Sequence, residues 1–219
     1  MIKKIINFIR NRNNKILNEE WLDENYIDLY EKSNLRISPE RAYVLLEFLS
    51  HSMKNVQGDV IEMGVYKGST AFLIADTMLK NNYKRNLFLC DTFEGTPMES
   101  ENDNLFRHGR YSDTSLEDVE NYLKDFSFIK YIKGFIPKSL DLISDNKFSV
   151  CHLHLNLYQS TKNALDFVYD RILSGGVIIV EDYGLNKCLG VKKAVDEFCL
   201  DNSCTVINLT TGQGVILKV

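Results

Sequence analysis

The stretch CHLHLNLYQST, residues 151–161, holds two of the four histidines in the chain. His152, His154 and Asn156 recur at every second position. On a β-strand that spacing turns all three side chains to one face. Two imidazoles and an amide arranged in this way suit three chemistries. They are metal ligation through ring nitrogens, proton abstraction from a hydroxyl, and a core strand with hydrogen-bonded histidines. Acids and glycines gather in four further stretches: EMGVYKGST (62–70), DTFEG (91–95), GF (134–135) and EDYG (181–184).

Each of these stretches closes a short apolar run. The runs are DVIEMGV (59–65), NLFLCD (86–91), KYIKGF (130–135), FSVCHLHL (148–155) and GGVIIVED (175–182). Helical candidates lie between them: STAFLIADTMLKN, SLEDVENYLKDF, PKSLDLIS and STKNALDFVYDRIL, with GVKKAVDEFCLDN following. Strands alternating with helices build a parallel sheet covered on both faces. Two last runs, CTVINLT and GVILKV, are joined by TGQG and form an antiparallel hairpin. Residues 1–55 read as a helical N-terminal cap, with Ser38-Pro39 as a helix start. Residues 56–219 read as one compact α/β unit, a doubly wound, mostly parallel sheet. In such sheets a ligand sits beyond the carboxyl ends of the strands, which is where these polar stretches fall.

Composition excludes several classes. With a net charge of −4 and no basic stripe, a nucleic-acid partner is not expected. No apolar run approaches the length of a membrane span. The opening MIKKIINFIRNRNNK lacks a signal-peptide core. Cys90, Cys151, Cys188, Cys199 and Cys204 are scattered and odd in number, which points to a reducing cytoplasm without a disulfide framework.

The glycine loop EMGVYKGST is neither GxGxxG nor a triphosphate loop. Gly64 and Gly68 let the backbone approach a ligand, and Ser69 and Thr70 can start the next helix. Glu62 suits an amine-bearing ligand better than a pyrophosphate. Asp91 is placed to accept from a ribose diol. A ribose, an amino-acid tail and no phosphate describe S-adenosylmethionine.

GDVIEMGVYKGSTA, CDTFEGTP, IKGFIPKSL, HLHLNLYQSTKNALDFVYDRILSGGVIIVEDYG and VKKAVDEF, in that order, resemble the macrocin O-methyltransferase family, the TylF/MycF-like enzymes. The resemblance covers residues 35–219. It implies a Rossmann-like fold, S-adenosylmethionine, a sugar hydroxyl as acceptor and a divalent metal such as magnesium. Carried over, it implies cofactor contacts at Glu62, Gly64, Val65, Tyr66, Gly68 and Ser69. It further implies a ribose contact at Asp91 beside Thr92 and Phe93, and an adenine wall at Gly134 and Phe135.

The family pattern at 152–161 is similar to HLDVDLYEST. Here His154 and Asn156 stand where that pattern has aspartates, and Glu181-Asp182 stands for an aspartate pair. Magnesium prefers hard oxygen ligands, so the substitutions disfavour it. His154, Glu181 and Asp182 suit manganese, iron or zinc better. His154 is therefore read three ways: a metal-free general base, a ligand of a metal other than magnesium, or a structural residue in a site without activity. Glu181 and Asp182 would orient the acceptor or hold the metal. His152, deeper in the strand, reads as a core histidine.

His108 is the second candidate base. It lies in the polar loop MESENDNLFRHGRYSD (98–113), which reads either as a lid or substrate loop, where Arg107, Arg110 and Tyr111 suit a sugar or an anion, or equally as a plain solvated loop. The expected partner is a carbohydrate-containing small molecule. Trp21, Tyr26, Tyr30 and Arg36 are expected on N-terminal helices, segments that in such folds often cover the cofactor or build a homodimer contact, with a plain core role for the aromatics favoured over a substrate cage. The rival class is a non-catalytic binding module or partner subunit.

Overall fold

The computed structural model describes residues 24–33, 36–97, 101–103 and 109–219. Helix α1 spans Glu24–Lys32 and α2 spans Pro39–Asn55. Then β1 (Asp59–Met63), α3 (Ser69–Lys80), β2 (Leu87–Asp91), α4 (Leu116–Tyr122) and β3 (Ile129–Lys133) alternate. A 3-10 turn at Lys138–Ile143 leads into β4 (Phe148–Leu153), followed by α5 (Tyr158–Val168) and β5 (Ile172–Val180). Helix α6 (Leu189–Asp201), β6 (Val206–Asn208) and β7 (Gly214–Leu217) complete the chain.

The seven strands form one sheet in the order β3-β2-β1-β4-β5-β7-β6. The first five are parallel, while β7 runs antiparallel to both β5 and β6. The architecture is thus the α/β sheet with a terminal hairpin that the alternating pattern predicts. Alternate residues feed two cores. Val60, Val150, Val177 and Ile179 face the layer of α2, α3 and α4. Ile61, Cys151, Ile178 and Val180 face the layer of α5 and α6. Strands buried on both faces become continuous apolar runs, which is why they stand out in the sequence.

Several boundaries differ from the sequence-based expectation. The strand expected at 148–155 ends at Leu153, so His154 and Asn156 lie beyond it, and Asn156 has φ 62. The helix expected to run through Leu173 stops at Val168, because Ile172 pairs with Phe148 and opens β5. The register then shifts: Val150 pairs with Val177, so part of the Leu173–Gly176 stretch is extra chain on β5. The helix start at Ser38 is observed, with the Ser38 hydroxyl as cap for the Arg41 amide at 3.5 Å and Pro39 in the first turn. Buried Ala42, Leu45, Leu46, Leu49 and Met53 then lay α2 on the sheet. That packing fixes the phase of the helix and directs Arg41 toward the strand ends.

Candidate active site

A cleft of about 530 Å³ opens over the carboxyl ends of the parallel strands, a size suited to a cofactor or small molecule. One side is built by the exits of β1, β2 and β3. Gly64, Val65, Tyr66, Ser69, Asp91, Thr92, Gly134 and Phe135 all line it. Gly64 is required there: at φ +92, a Cβ would come within 2.3 Å of the His154 carbonyl oxygen. The β1 and β4 exits can cross that closely only through a residue without a side chain.

Asp91 ties this side together. Its Oδ2 accepts from the Val65 amide at 2.6 Å and the Tyr66 amide at 2.9 Å, and its Oδ1 accepts from the Phe93 amide at 2.9 Å. A carboxylate offers about four acceptor positions. Backbone amides occupy three of them; the Thr92 hydroxyl lies 3.4 Å from Oδ1 but directs its single proton to the Gly95 carbonyl at 2.8 Å, which leaves room for about one more donor from the cleft.

The other side rises from the exits of β4 and β5. In the parallel register Glu62 of β1 pairs with His152 of β4, which places the two side by side on the face beneath α2. His152 is fully buried; its Nδ1 lies 2.9 Å from Glu62 Oε1 and its Nε2 lies 3.1 Å from Glu181 Oε1. Gln213, from the turn before β7, donates to Glu181 Oε1 at 2.7 Å and to the Arg41 carbonyl at 3.1 Å. The Arg41 guanidinium pairs with Glu181 Oε2 and lies 2.8 Å from Asp182 Oδ1. Asn156 donates to Asp182 Oδ2 at 2.9 Å, and His154 Nε2 lies 3.6 Å from that same oxygen. The result is a ladder, Glu62–His152–Glu181–Arg41–Asp182, rising from the core to the cleft.

Burial by itself would make this ladder costly, since each unpaired charge would carry several kcal/mol of desolvation. The partners shift the balance. For His152 burial lowers the imidazole, but its hydrogen bonds to Glu181 and Glu62 outweigh it and push it up to about 9. For Glu181 burial acts upward, yet His152 and Arg41 hold the carboxyl down at about 2. Asp182 is likewise held well below the carboxylate range, with His154 and Arg41 overcoming burial. Glu62 goes the other way: burial raises it despite His152. Its Oε2 is buried without a hydrogen-bond partner.

The residues named from the sequence thus fall into three groups. Gly64, Val65, Tyr66, Ser69, Asp91, Thr92, Gly134, Phe135, His154 and Asp182 meet at the cleft. Glu62 and Glu181, 0% and 1% exposed, lie beneath it in the ladder, while Phe93 packs into the core. Gly68 faces Val119, Tyr122 and Leu123 rather than the cleft wall. His108, Arg107 and Trp21 lie outside the described residues. Sequence reasoning missed Arg41 and Gln213. The helix cap at Ser38 was the available signal for Arg41, since it sets which residue of the first turn reaches the strand ends.

The metal implied by the resemblance does not fit these donors. Glu181 Oε1 is taken by His152 and Gln213, its buried Oε2 has the Arg41 guanidinium as ion-pair partner and no hydrogen bond, and the two oxygens of Asp182 have Arg41 and Asn156 as partners. Among the described residues no group of three or more His, Cys, Asp or Glu side chains is arranged to hold a metal ion.

Comparison with known proteins agrees with this architecture. A chain titled "Structure of the O-methyltransferase NovP" superposes with a TM-score of 0.74 at 22% identity, over 83% of this chain and 81% of that one. Demethyldecarbamoylnovobiocin O-methyltransferase of Streptomyces niveus is 26% identical over 156 residues, 66% of this chain and 59% of its own length. The 8-demethyl-8-(2,3-dimethoxy-alpha-L-rhamnosyl)-tetracenomycin-C 4'-O-methyltransferase of Streptomyces olivaceus is also 26% identical, over 61% of this chain and 56% of its own length. The chain therefore matches less than two thirds of the length of these curated relatives. A family model described as macrocin-O-methyltransferase (TylF) matches residues 41–209. That match spans most of the chain, from Arg41 through β6, the first strand of the terminal hairpin, and the protein belongs to the macrocin O-methyltransferase family.

Proposed function

We propose that the chain is an S-adenosylmethionine-dependent O-methyltransferase acting on a hydroxyl of a sugar, sugar nucleotide or glycosylated small molecule. The observation that carries this is the pairing of two unlike walls across one cleft. One is a glycine loop closed by Asp91; the other presents His154 above Asp182. The activities for which the relatives are named, O-methylation of demethyldecarbamoylnovobiocin and of a rhamnosyl-tetracenomycin, support the acceptor class.

The donor set suits the cofactor. Asp91 has acceptor capacity for a ribose hydroxyl, and the wall offers close backbone at Gly64 and no phosphate cradle. Gly134 and Phe135 form the part of the wall assigned to adenine. When bound, S-adenosylmethionine supplies an electrophilic methyl group on a sulfonium. The protein's task is then to align the acceptor hydroxyl and remove its proton.

His154 takes that proton. It is 26% exposed on its side chain and lines the cleft, and its Nε2 faces Asp182. The carboxylate favours a proton on Nε2, which leaves the lone pair on Nδ1 to accept from the hydroxyl. Asp182 then stabilises the imidazolium that forms. Arg36, Arg110 and Lys187 also line the cleft and suit the oxygen-rich surface of a carbohydrate or a nucleotide.

Calorimetric titration with S-adenosylhomocysteine tests the cofactor, and labelled-methyl transfer to a panel of glycosides and nucleotide sugars tests the reaction. His154→Ala is expected to lower turnover by roughly 10²–10⁴-fold while S-adenosylhomocysteine affinity stays within about twofold, as for any group that acts on the acceptor alone. Absence of S-adenosylhomocysteine binding to the folded protein would sink this reading in favour of a binding module.

A further inference from the structure

The resemblance at 151–161 and 181–184 implies a divalent cation among His154, Glu181 and Asp182. The structure has a different cation at that place. Arg41 reaches in from the first turn of α2, with its side chain 13% exposed. Its guanidinium lies 2.8 Å from Asp182 Oδ1 and pairs with Glu181 Oε2. Its backbone is held as well. The amide is capped by Ser38 and the carbonyl accepts from Gln213 at 3.1 Å. This is a cation fixed at both ends, not a surface arginine that found a carboxylate.

We propose that the Arg41 guanidinium stands in for the divalent metal, so that the site works without one. The catalytic part of this proposal rests on the methyltransferase reading above; the charge arrangement does not. The first argument is donor capacity. A metal needs lone pairs aimed at one point. Glu181 is buried beneath the cleft among His152, Gln213 and Arg41, and each oxygen of Asp182 already accepts from Arg41 or Asn156, so Asp182 is the one carboxylate of the set at the cleft and its open lone pairs are too few to build a site. The second is charge. His154 and Asn156 replace two aspartates of the pattern that the stretch resembles. Neither is a carboxylate, so two negative charges of that pattern are absent, which is the charge of one divalent ion. A metal on Asp182 would then sit beside a fixed guanidinium with too few carboxylates to offset the repulsion.

Arg41 is thereby a positioning residue. It holds Asp182, a residue with φ 63, so that Oδ2 faces His154 and Asn156. A divalent ion would polarise the acceptor hydroxyl directly. An arginine held below His154 leaves proton removal to the imidazole.

The test is titration of the 219-residue chain with Mn²⁺, followed by the loss of the free-ion electron paramagnetic resonance signal. S-adenosylhomocysteine is titrated on the same sample. The wild type is expected to show no saturable Mn²⁺ site below about 1 mM, the weak end of protein divalent sites. Arg41→Ala, if folded by circular dichroism, gains Mn²⁺ affinity by roughly tenfold or more, because two carboxylates lose their counter-ion. Arg41→Lys stays like the wild type. A stoichiometric wild-type Mn²⁺ site lost in Asp182→Asn overturns the proposal, as does a folded Arg41→Ala protein with no gain. If Arg41→Ala does not fold, the wild-type and Arg41→Lys titrations decide. Failure to bind S-adenosylhomocysteine would overturn the methyltransferase reading alone and leave the Mn²⁺ result standing.

Discussion

The two walls of the cleft are built from different materials. On the β1–β2 side, Asp91 receives amides from residues 65, 66 and 93, and Gly64 makes room for the chain crossing from β4. Its geometry is mostly backbone. On the β4–β5 side, side chains from α2, β1, β4, the exit of β5 and the hairpin turn meet in one charged ladder. A backbone wall recognises a constant shape and tolerates change in its exposed side chains. A side-chain wall can be rewritten residue by residue, as the histidine and asparagine at 154 and 156 illustrate. This division suits the proposed roles, with one cofactor common to the family and acceptors that differ among its members.

The largest expected difference between the walls is in stability. His152→Ala leaves Glu62 and Glu181 on either side of a vacancy, each without its imidazole. Breaking a buried charge pair by deleting one partner costs about 3–5 kcal/mol. Urea unfolding measures this, and a loss under about 1 kcal/mol would mean that the ladder contributes little to holding the second wall.

Asp91→Asn probes the first wall. The amide cannot accept from both sides as a carboxylate does, and the charge-assisted bonds are lost. S-adenosylhomocysteine affinity is expected to fall by roughly ten- to a hundredfold, the equivalent of one such bond. Stability should change by less than in His152→Ala. The reverse order, with folding lost and affinity retained, would erase the distinction between the walls.

The most gradual effect is with pH. His152 is raised from 6.5 to about 9 in the folded chain. Its contribution to stability is therefore complete below pH 6.5 and is lost as pH rises through 9. Glu181 is lowered from 4.5 to about 2, so its contribution is present above pH 4.5 and is lost as pH falls through 2. The groups that set these limbs are Glu62 from β1, Glu181 beyond β5, Arg41 from α2 and neighbouring His154. Unfolding midpoints between pH 5 and 10 should show the alkaline limb in the wild type and lose it in His152→Ala. An unchanged limb in the variant would assign it elsewhere.

Much of the frame was legible before the structure. The apolar runs of β1, β2, β4 and β5 are continuous because both faces are buried, and the cap at Ser38 marks α2 because a helix start needs an acceptor for its first amides. The polar endings of those runs pointed to the cleft because ligand sites in such sheets lie at the carboxyl ends. The boundaries of β4 and β5 were less legible. Leu173 looks helical in periodicity, yet the preceding Ile172 is claimed by Phe148 across the sheet. No local pattern carries that pairing.

What the sequence by itself determined was the alternation of strands and helices, the glycine at position 64 and the family pattern with its two replaced aspartates. Those are properties of neighbours along the chain. Only the tertiary structure decided that Glu62 and Glu181 lie under the cleft, that His152 bridges them, and that Arg41 faces Asp182. Arg41 and Gln213 are 172 positions apart and still share a hydrogen bond. A charge can remain buried only where its partners arrive together, and that arrival depends on the packing of α2 and the closing hairpin on the sheet rather than on any spacing in the sequence.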